Sequence, residues 1–229
     1  MSATLAAAPR SALLSCWTTA WLAGEASLPE VVTRVTGHDD LHLVTSLWVD
    51  DLELDQAVGR LRADGIDRLR VVLPAPGDPL GLPGPGPFSQ EALLAGEAVL
   101  ALRPDGSGTG LVPTVTSHGS DLDGTVTSVR WTAYPVENSG PDQGPFLHEA
   151  EHDLRRGLVE ATQALVDLDV ARWNPDIGNA LDDLRQARRR APEEDDLPDG
   201  WSPRARQVLT QASYIARILA LVGNDVGRS

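Results

Sequence analysis

After residue 136 the strand period of the chain does not return, and that change limits what it can fold into. Through TVTSVRWTAYPV, residues 125–136, apolar and polar side chains alternate with the period of two that a half-buried strand requires. After the Pro- and Gly-containing linker ENSGPDQGP, residues 137–145, apolar residues recur every third or fourth position, which is the spacing of one helix face. One segment cannot satisfy both periods. The chain therefore reads as a sheet-containing region, 1–140, followed by a helical region, 141–229, packed on it as one compact unit. With 229 residues and 41% hydrophobic content it can bury a sizeable core.

Local signals fill in the elements. SALLSCWTTAWLAG predicts a helix capped by Ser11, with Leu13, Trp17, Ala20 and Trp21 on its apolar face and Gly24 at its end. SLPEVVTRVTG predicts a second, with Ser27 as cap, Pro29 and Glu30 in the first turn and Gly37 as stop. HLVTSLWV reads as a strand, DDLELDQAVGRLRADG as a helix with Leu54, Val58 and Leu61 on one face, and IDRLRVVLPA as a strand. FSQEALLAGEA reads as a short helix, and VLALRPDGSGTGLVPTV as a hairpin turning through PDGSGTG. Three helices follow the linker, over 146–170, 175–190 and from Ser202 onward. The last has Ser202 as cap, Pro203 as first residue, an apolar stripe of Val208, Ala212, Ile215, Leu219 and Val222, and Gly223-Asn224 as stop. The expected fold is α+β: a mixed or mainly antiparallel sheet of about five strands, two N-terminal helices and a helical C-terminal part.

Residues 76–88, PGDPLGLPGPGPF, exclude regular structure. They do not make a phosphate-binding loop, because such a nest needs successive N–H donors and proline has none. An extended, stiff loop is expected; a function for it would be to cover a site or meet a partner.

Composition removes several chemistries. All 19 basic residues are Arg. Without Lys there is no Schiff-base catalysis, no pyridoxal phosphate anchor and no Walker A motif, and no cofactor is expected. A net charge of −14 repels phosphate backbones and anionic lipids, so nucleic acid and membranes are poor partners. The run Arg188-Arg189-Arg190 is offset by Glu193-Glu194-Asp195-Asp196. The lone Cys16 permits no intrachain disulfide and reads as a buried structural thiol. No basic n-region with a long apolar h-region opens the sequence, and no apolar run is long enough to span a bilayer, so a cytoplasmic protein is expected.

One stretch matches a catalytic pattern. His148-Glu149-Ala150-Glu151-His152 fits H-E-x-x-H, in which two His at i and i+4 on a helix grip zinc and the Glu acts on the metal-bound water. Three observations oppose a site. Arg155 and Leu158 stand where the extended motif requires Gly and a third His. Glu151 and Asp153 place charges beside His152, where uncharged neighbours belong. At about 100° per residue, His148 and His152 lie about 120° and 160° from the stripe of Leu147, Leu154, Leu158, Ala161, Leu165 and Leu168. The motif reads as a solvated helix face, with a metal-dependent hydrolase centred on His148, Glu149 and His152 as the alternative. Asp167, Asp169 and Asp176 belong to no ligand motif.

Other groupings are weaker. His118, Ser120 and Asp121 have the residue types of a triad but no nucleophile elbow, and read as a polar turn between strands. Arg103, Arg130 and Tyr134 fall on strands, and read as solvent-side residues sooner than as an anion pocket. Trp17, Trp21, Trp48, Trp131, Trp173 and Trp201 read as core anchors at element junctions.

Taken together, LLSCWTTAWLAG, PGDPLGLPGPGPF and LVDLDVARW resemble a family of uncharacterised proteins from high-GC actinobacteria. The resemblance covers nearly the whole chain and implies a bacterial cytoplasmic origin. It carries no activity and no site residues. With no coherent catalytic set, the expected function is that of a non-enzymatic, acidic binding or scaffolding protein. It would act through a protein partner or through self-association, a homodimer included. A small-molecule pocket between sheet and helices is a further alternative.

Overall fold

The computed structural model describes residues 8–45, 50–79, 81–120, 124–140, 144–167 and 197–226. The chain divides into two compact units, the first formed by Ala8–Gly144 with Asp196–Gly200 and the second by Pro145–Asp195 with Trp201–Ser229. The first holds a sheet with four helices. These are α1 (Arg10–Ala23), α2 (Leu28–Thr36), β1 (Leu41–Thr45), β2 (Leu52–Glu53), α3 (Leu54–Ala63), β3 (Arg68–Val72), α4 (Pro87–Ala95), β4 (Ala98–Leu102), β5 (Gly108–Ser120) and β6 (Gly124–Val136). The described part of the second unit consists of α5 (Leu147–Asp167) and α6 (Pro203–Val226).

The protein is α+β, with a six-stranded mixed sheet ordered β2-β1-β6-β5-β4-β3. Every neighbouring pair is antiparallel except β1 with β6, which run parallel. The sheet has one strand more than expected because Leu52 and Glu53 pair with Val44 and Leu43 before α3 begins. Two residues are too short to carry an alternating pattern, so sequence periodicity assigns them to the helix. Most of the remaining strand signal expected after Thr45, with Trp48, lies outside the described residues.

The sheet is buried on both faces at β4, where all five side chains are buried. Val99 and Ala101 face one core, with Val44, Leu111, Val129 and Trp131, under Leu14, Trp17, Val31, Val35, Val58 and Leu61 of α1, α2 and α3. Ala98, Leu100 and Leu102 face the other, with Val72, Val112 and Val136, under Phe88 and Ala92 of α4. The alternation of β4 thus supplies two cores from one strand. The Pro/Gly loop is not purely extended. Ala75 and Asp78 form a two-way backbone bridge, Leu82 packs on the second core, and the Ser89 hydroxyl donates to the Gly84 carbonyl.

Helix ends follow their capping chemistry with one correction. In α2, Ser27 Oγ accepts from the Glu30 N–H at 3.4 Å while the Glu30 carboxylate accepts from the Ser27 N–H, a complete capping box. Ser11 does not cap α1. The helix starts at Arg10, and Ser11 is a buried first-turn residue whose N–H and hydroxyl both donate to the Glu97 carboxylate, at 2.8 and 2.7 Å. Glu97, between α4 and β4, supplies from a distant segment the acceptor that a local cap would have given.

In the second unit, Ser202 Oγ accepts from the Ala205 N–H at 3.2 Å, as its capping role requires. Helix α6 continues through Gly223-Asn224 to Val226, since an interior Gly weakens a helix by about 1 kcal/mol without ending it. Leu154 and Leu158 of α5 and Val208, Leu209, Ala212 and Ile215 of α6 are half-buried. The helix expected over 175–190 and the side chains of Leu219 and Val222 lie outside the described residues.

Two glycines in β5 allow neighbouring elements to approach closely. A Cβ on Gly108 would sit 2.0 Å from the Ala101 carbonyl oxygen, and one on Gly110 would sit 2.3 Å from the Phe88 ring. Gly108→Ala is expected to cost about 2–3 kcal/mol in chemical denaturation, because backbone cannot move aside. Gly59→Ala in α3, where an added Cβ meets nothing within 4 Å, is expected to stabilise by about 0.5–1 kcal/mol.

Candidate functional site

The first unit contains one buried chain of polar groups. Arg10 opens α1, Asp39 lies between α2 and β1, His42 is on β1 and Trp131 on β6. Because Val44 pairs with Trp131 in the parallel register, His42 faces the same core as Val44 and Trp131. Arg10 grips Asp39 with two donors, Nε at 2.6 Å and Nη2 at 2.7 Å. His42 Nε2 lies 3.1 Å from Asp39 Oδ2, and Trp131 Nε1 donates to His42 Nδ1 at 3.2 Å.

These contacts fix one state of the imidazole. An indole N–H can only donate, so Nδ1 must be bare, and the ring proton sits on Nε2 and points at Asp39. The His42 side chain is 1% exposed. Burial pushes its pKa down, against the hydrogen bond and charge of Asp39, and the Arg10 charge adds to the lowering. Burial works the other way on Asp39, but the hydrogen bonds from Arg10 and His42 outweigh it and hold the carboxyl below its usual range.

An Asp–His pair is the base of many hydrolases, where the second ring nitrogen takes a proton from a nucleophile. Here that nitrogen accepts from a tryptophan, in a core closed to substrate. The arrangement ties α1, the turn before β1, and the sheet to one another. Sequence reasoning passed over Arg10, Asp39, His42 and Glu97. A usable signal was present: His42 is in phase with Val44 on its strand, so it had to point inward and find partners.

The H-E-x-x-H segment occupies the start of α5. His148 and His152 are exposed, and the Phe146 ring stacks on His148 at 6.0 Å. Glu149, the residue a metalloprotease would use as base, accepts from the Phe146 N–H at 2.8 Å and so caps the helix. Glu151 is gripped by Arg155 at 2.5 Å and by Arg204 of α6, whose Nε lies at 2.8 Å. The Arg204 hydrogen bond, with both Arg charges, holds the Glu151 carboxyl below its ordinary range. Asp153 pairs with Arg156 at 2.9 Å. Pro145, His148, Glu149, Glu151, His152, Asp153, Arg155 and Arg204 line an open depression. Among the described residues, no three His, Cys, Asp or Glu side chains converge as metal ligands. The side chain of Asp167 and the whole of Asp169 and Asp176 lie outside the described residues.

The remaining candidates have separate places where they are described. His118 is exposed on β5, while the Ser120 side chain and Asp121 lie outside the described residues. Arg103 braces the β4–β5 turn through the Asp64 carbonyl at 2.7 Å and Ser107 Oγ at 3.2 Å. Arg130 is exposed and pairs with Asp51 at 3.1 Å, and Tyr134 packs against Phe88. Burial pushes the Cys16 thiol up to about 11, so it is inert at neutral pH. Trp17 and Trp131 are buried, Trp21 is half-buried beneath Arg62, and Trp201 is exposed. Trp48 and Trp173 lie outside the described residues.

The state of His42 sets a pH dependence. Its folded pKa lies below the unfolded value near 6.5, so as pH falls the unfolded chain takes up the proton first. Stability from this group is complete above about pH 6.5 and declines below it, at no more than about 1.4 kcal/mol per pH unit. Denaturation midpoints measured between pH 7.5 and about 5.5 should show the decline, and a His42→Gln variant should lose that share of the slope whatever its absolute stability.

Two family models match the chain. The Rv1486c-like protein N-terminal domain matches residues 11–145 and the Rv1486c-like protein C-terminal domain matches residues 148–229. Similar proteins include the uncharacterized protein Rv1486c of Mycobacterium tuberculosis H37Rv, 30% identical, with 92% of this chain and 82% of the relative covered. The uncharacterized protein MAV321 of Mycobacterium avium is 29% identical over 92% of this chain and 78% of its own length. The uncharacterized protein ML1804 of Mycobacterium leprae is 27% identical over 92% and 83%. No solved structure matches. With both domain models matched in order, the chain belongs to the Rv1486c-like protein family.

Proposed function

We propose that this chain is a non-enzymatic, acidic binding or scaffolding protein of the cytoplasm, acting through a protein partner or a second copy of itself. The observation that carries this reading is the use to which the reactive groups are put. Arg10, Asp39 and His42 are spent on one another inside the core, with Trp131 on the nitrogen that catalysis would need free. Glu149 is spent on a helix end and Glu151 on two arginines. The described surface carries exposed apolar side chains, Leu94, Val126, Phe146 and Val159 among them, and the chain has a net charge of −14, features that suit association. No described helix is long and apolar enough to cross a membrane.

Two measurements test the reading. Metal analysis of the purified full chain should find no stoichiometric zinc. One zinc per chain, lost in a His148→Ala variant, would overturn the reading in favour of a metal-dependent hydrolase. Electrophoretic shift assays at physiological salt should show no affinity for duplex DNA, given the charge of −14. Tight, salt-sensitive binding would show that a basic surface overrides the net charge.

A further inference from the structure

Among the described residues the sheet has one long strand edge without a partner. β4 pairs with β5 only as far as Leu111, yet β5 continues to Ser120, paired on its other side with β6. Arg103 N–H donates to the Ser107 carbonyl, which sets the phase of the β4–β5 ladder. Odd-numbered β5 residues therefore turn their backbone groups toward β4, and even-numbered ones toward β6. Beyond Leu111 the outward groups belong to Pro113, Val115, Ser117 and Gly119. Among the described residues none of them has a backbone partner. Thr114 through Gly119 are all exposed.

The other edges are protected. β2 is two residues long. β3 carries Arg68 and Arg70 and is followed by Pro74 and the Ala75–Asp78 bridge. On the far side of the same hairpin, Asp40 closes the β6 edge: its N–H donates to the Thr127 carbonyl at 2.8 Å, and its carboxylate accepts from the Thr127 N–H at 2.7 Å. Among the described residues the β5 edge has no charged side chain, no bulge and no cover. Only Pro113 interrupts it, at its start.

We propose that this edge is the surface through which two copies of the chain associate, β5 against β5, extending the sheet across a two-fold axis. This rests on the binding-protein reading above and names its partner. Two observations select a second copy. A chain of net charge −14 repels its own kind, and Val112–Ser120 contains no Asp, Glu or Arg, so pairing along this strand sets no acidic side chains of the strand against each other. The edge is also self-complementary. Antiparallel pairing centred on Ser117 sets Val115 opposite Gly119 of the other copy and Ser117 opposite itself, so the outward groups of all three residues are satisfied at once. The exposed Val115 side chain then lies over a glycine, which leaves room for it.

Sedimentation of the full chain at roughly 100 µM should show a dimer. Ser117→Pro removes an outward N–H and leaves the backbone hydrogen bonds of the β5–β6 ladder in place, losing only the exposed Ser117–Thr127 hydroxyl contact at 3.3 Å, and Val115→Lys puts a charge on the edge. Each should weaken the dimer at least about tenfold while leaving the circular dichroism and melting temperature of the monomer close to wild type. Thr116→Pro, whose N–H points into the ladder, should instead lower the melting temperature. A Ser117→Cys variant should cross-link to its own copy on oxidation, because residues paired on the axis bring their Cα atoms to about 5.5 Å. A wild-type monomer, or a dimer indifferent to Ser117→Pro and Val115→Lys, overturns the pairing. The broader reading fails separately, on stoichiometric zinc lost with His148.

Discussion

The hydrogen bond from Trp131 to His42 constrains more of the first unit than any other contact. A buried indole must find an acceptor, and a buried imidazole must have both nitrogens satisfied. Meeting both conditions leaves His42 neutral, with its proton on Nε2, and obliges Asp39 to stand at that nitrogen. Asp39 is then a carboxylate in a half-buried place and needs a cation, which Arg10 provides through two hydrogen bonds. Each group is present because the one before it required a partner. The result joins the first residue of α1 to the middle of the sheet through the only parallel pair of described strands, β1 and β6. Those strands lack the short hairpin that fixes antiparallel neighbours, so their register depends on side-chain contacts such as this one.

Glu97 plays a related part at the same helix. The N-terminal N–H groups of α1 follow a proline and have no local side-chain cap, so a carboxylate from the α4–β4 connection serves instead. Arg10 and Ser11, adjacent in sequence, thus bind acids from two distant parts of the sequence. Helix α1 is anchored by charge at its start and by Leu14 and Trp17 along its length. Structure of this kind engages reactive side chains with one another, as the cluster of Arg10, Asp39 and His42 does.

Much of this fold was legible from the residues. The capping box at Ser27 and Glu30, the β4–β5 hairpin through PDGSGTG, the alternation of β6 and the start of α6 at Pro203 all rest on local rules, and local rules act within a few residues. What escaped was non-local. Ser11 looked like a cap because nothing in its neighbourhood announces Glu97, 86 residues on. Leu52 and Glu53 looked like the start of α3 because two residues show no period. The His42 network joins four segments, and only the inward phase of His42 hints at it. For α5 the helical phase already placed His148 and His152 away from the apolar stripe, and both are exposed. The capping role of Glu149 needed coordinates.

The central claim is that the buried imidazole is a structural acceptor and not a base in waiting. Nitrogen-15 chemical shifts of the His42 ring in the folded protein test it most directly. At pH 7 they should report a neutral ring with Nδ1 bare and the proton on Nε2, and the ring should stay neutral at pH values where an ordinary histidine, near 6.5, is already charged. A proton on Nδ1, or an imidazolium at pH 7, would contradict the claim. Trp131 would then not be its donor, and the Asp39–His42 pair would again be a candidate for proton transfer.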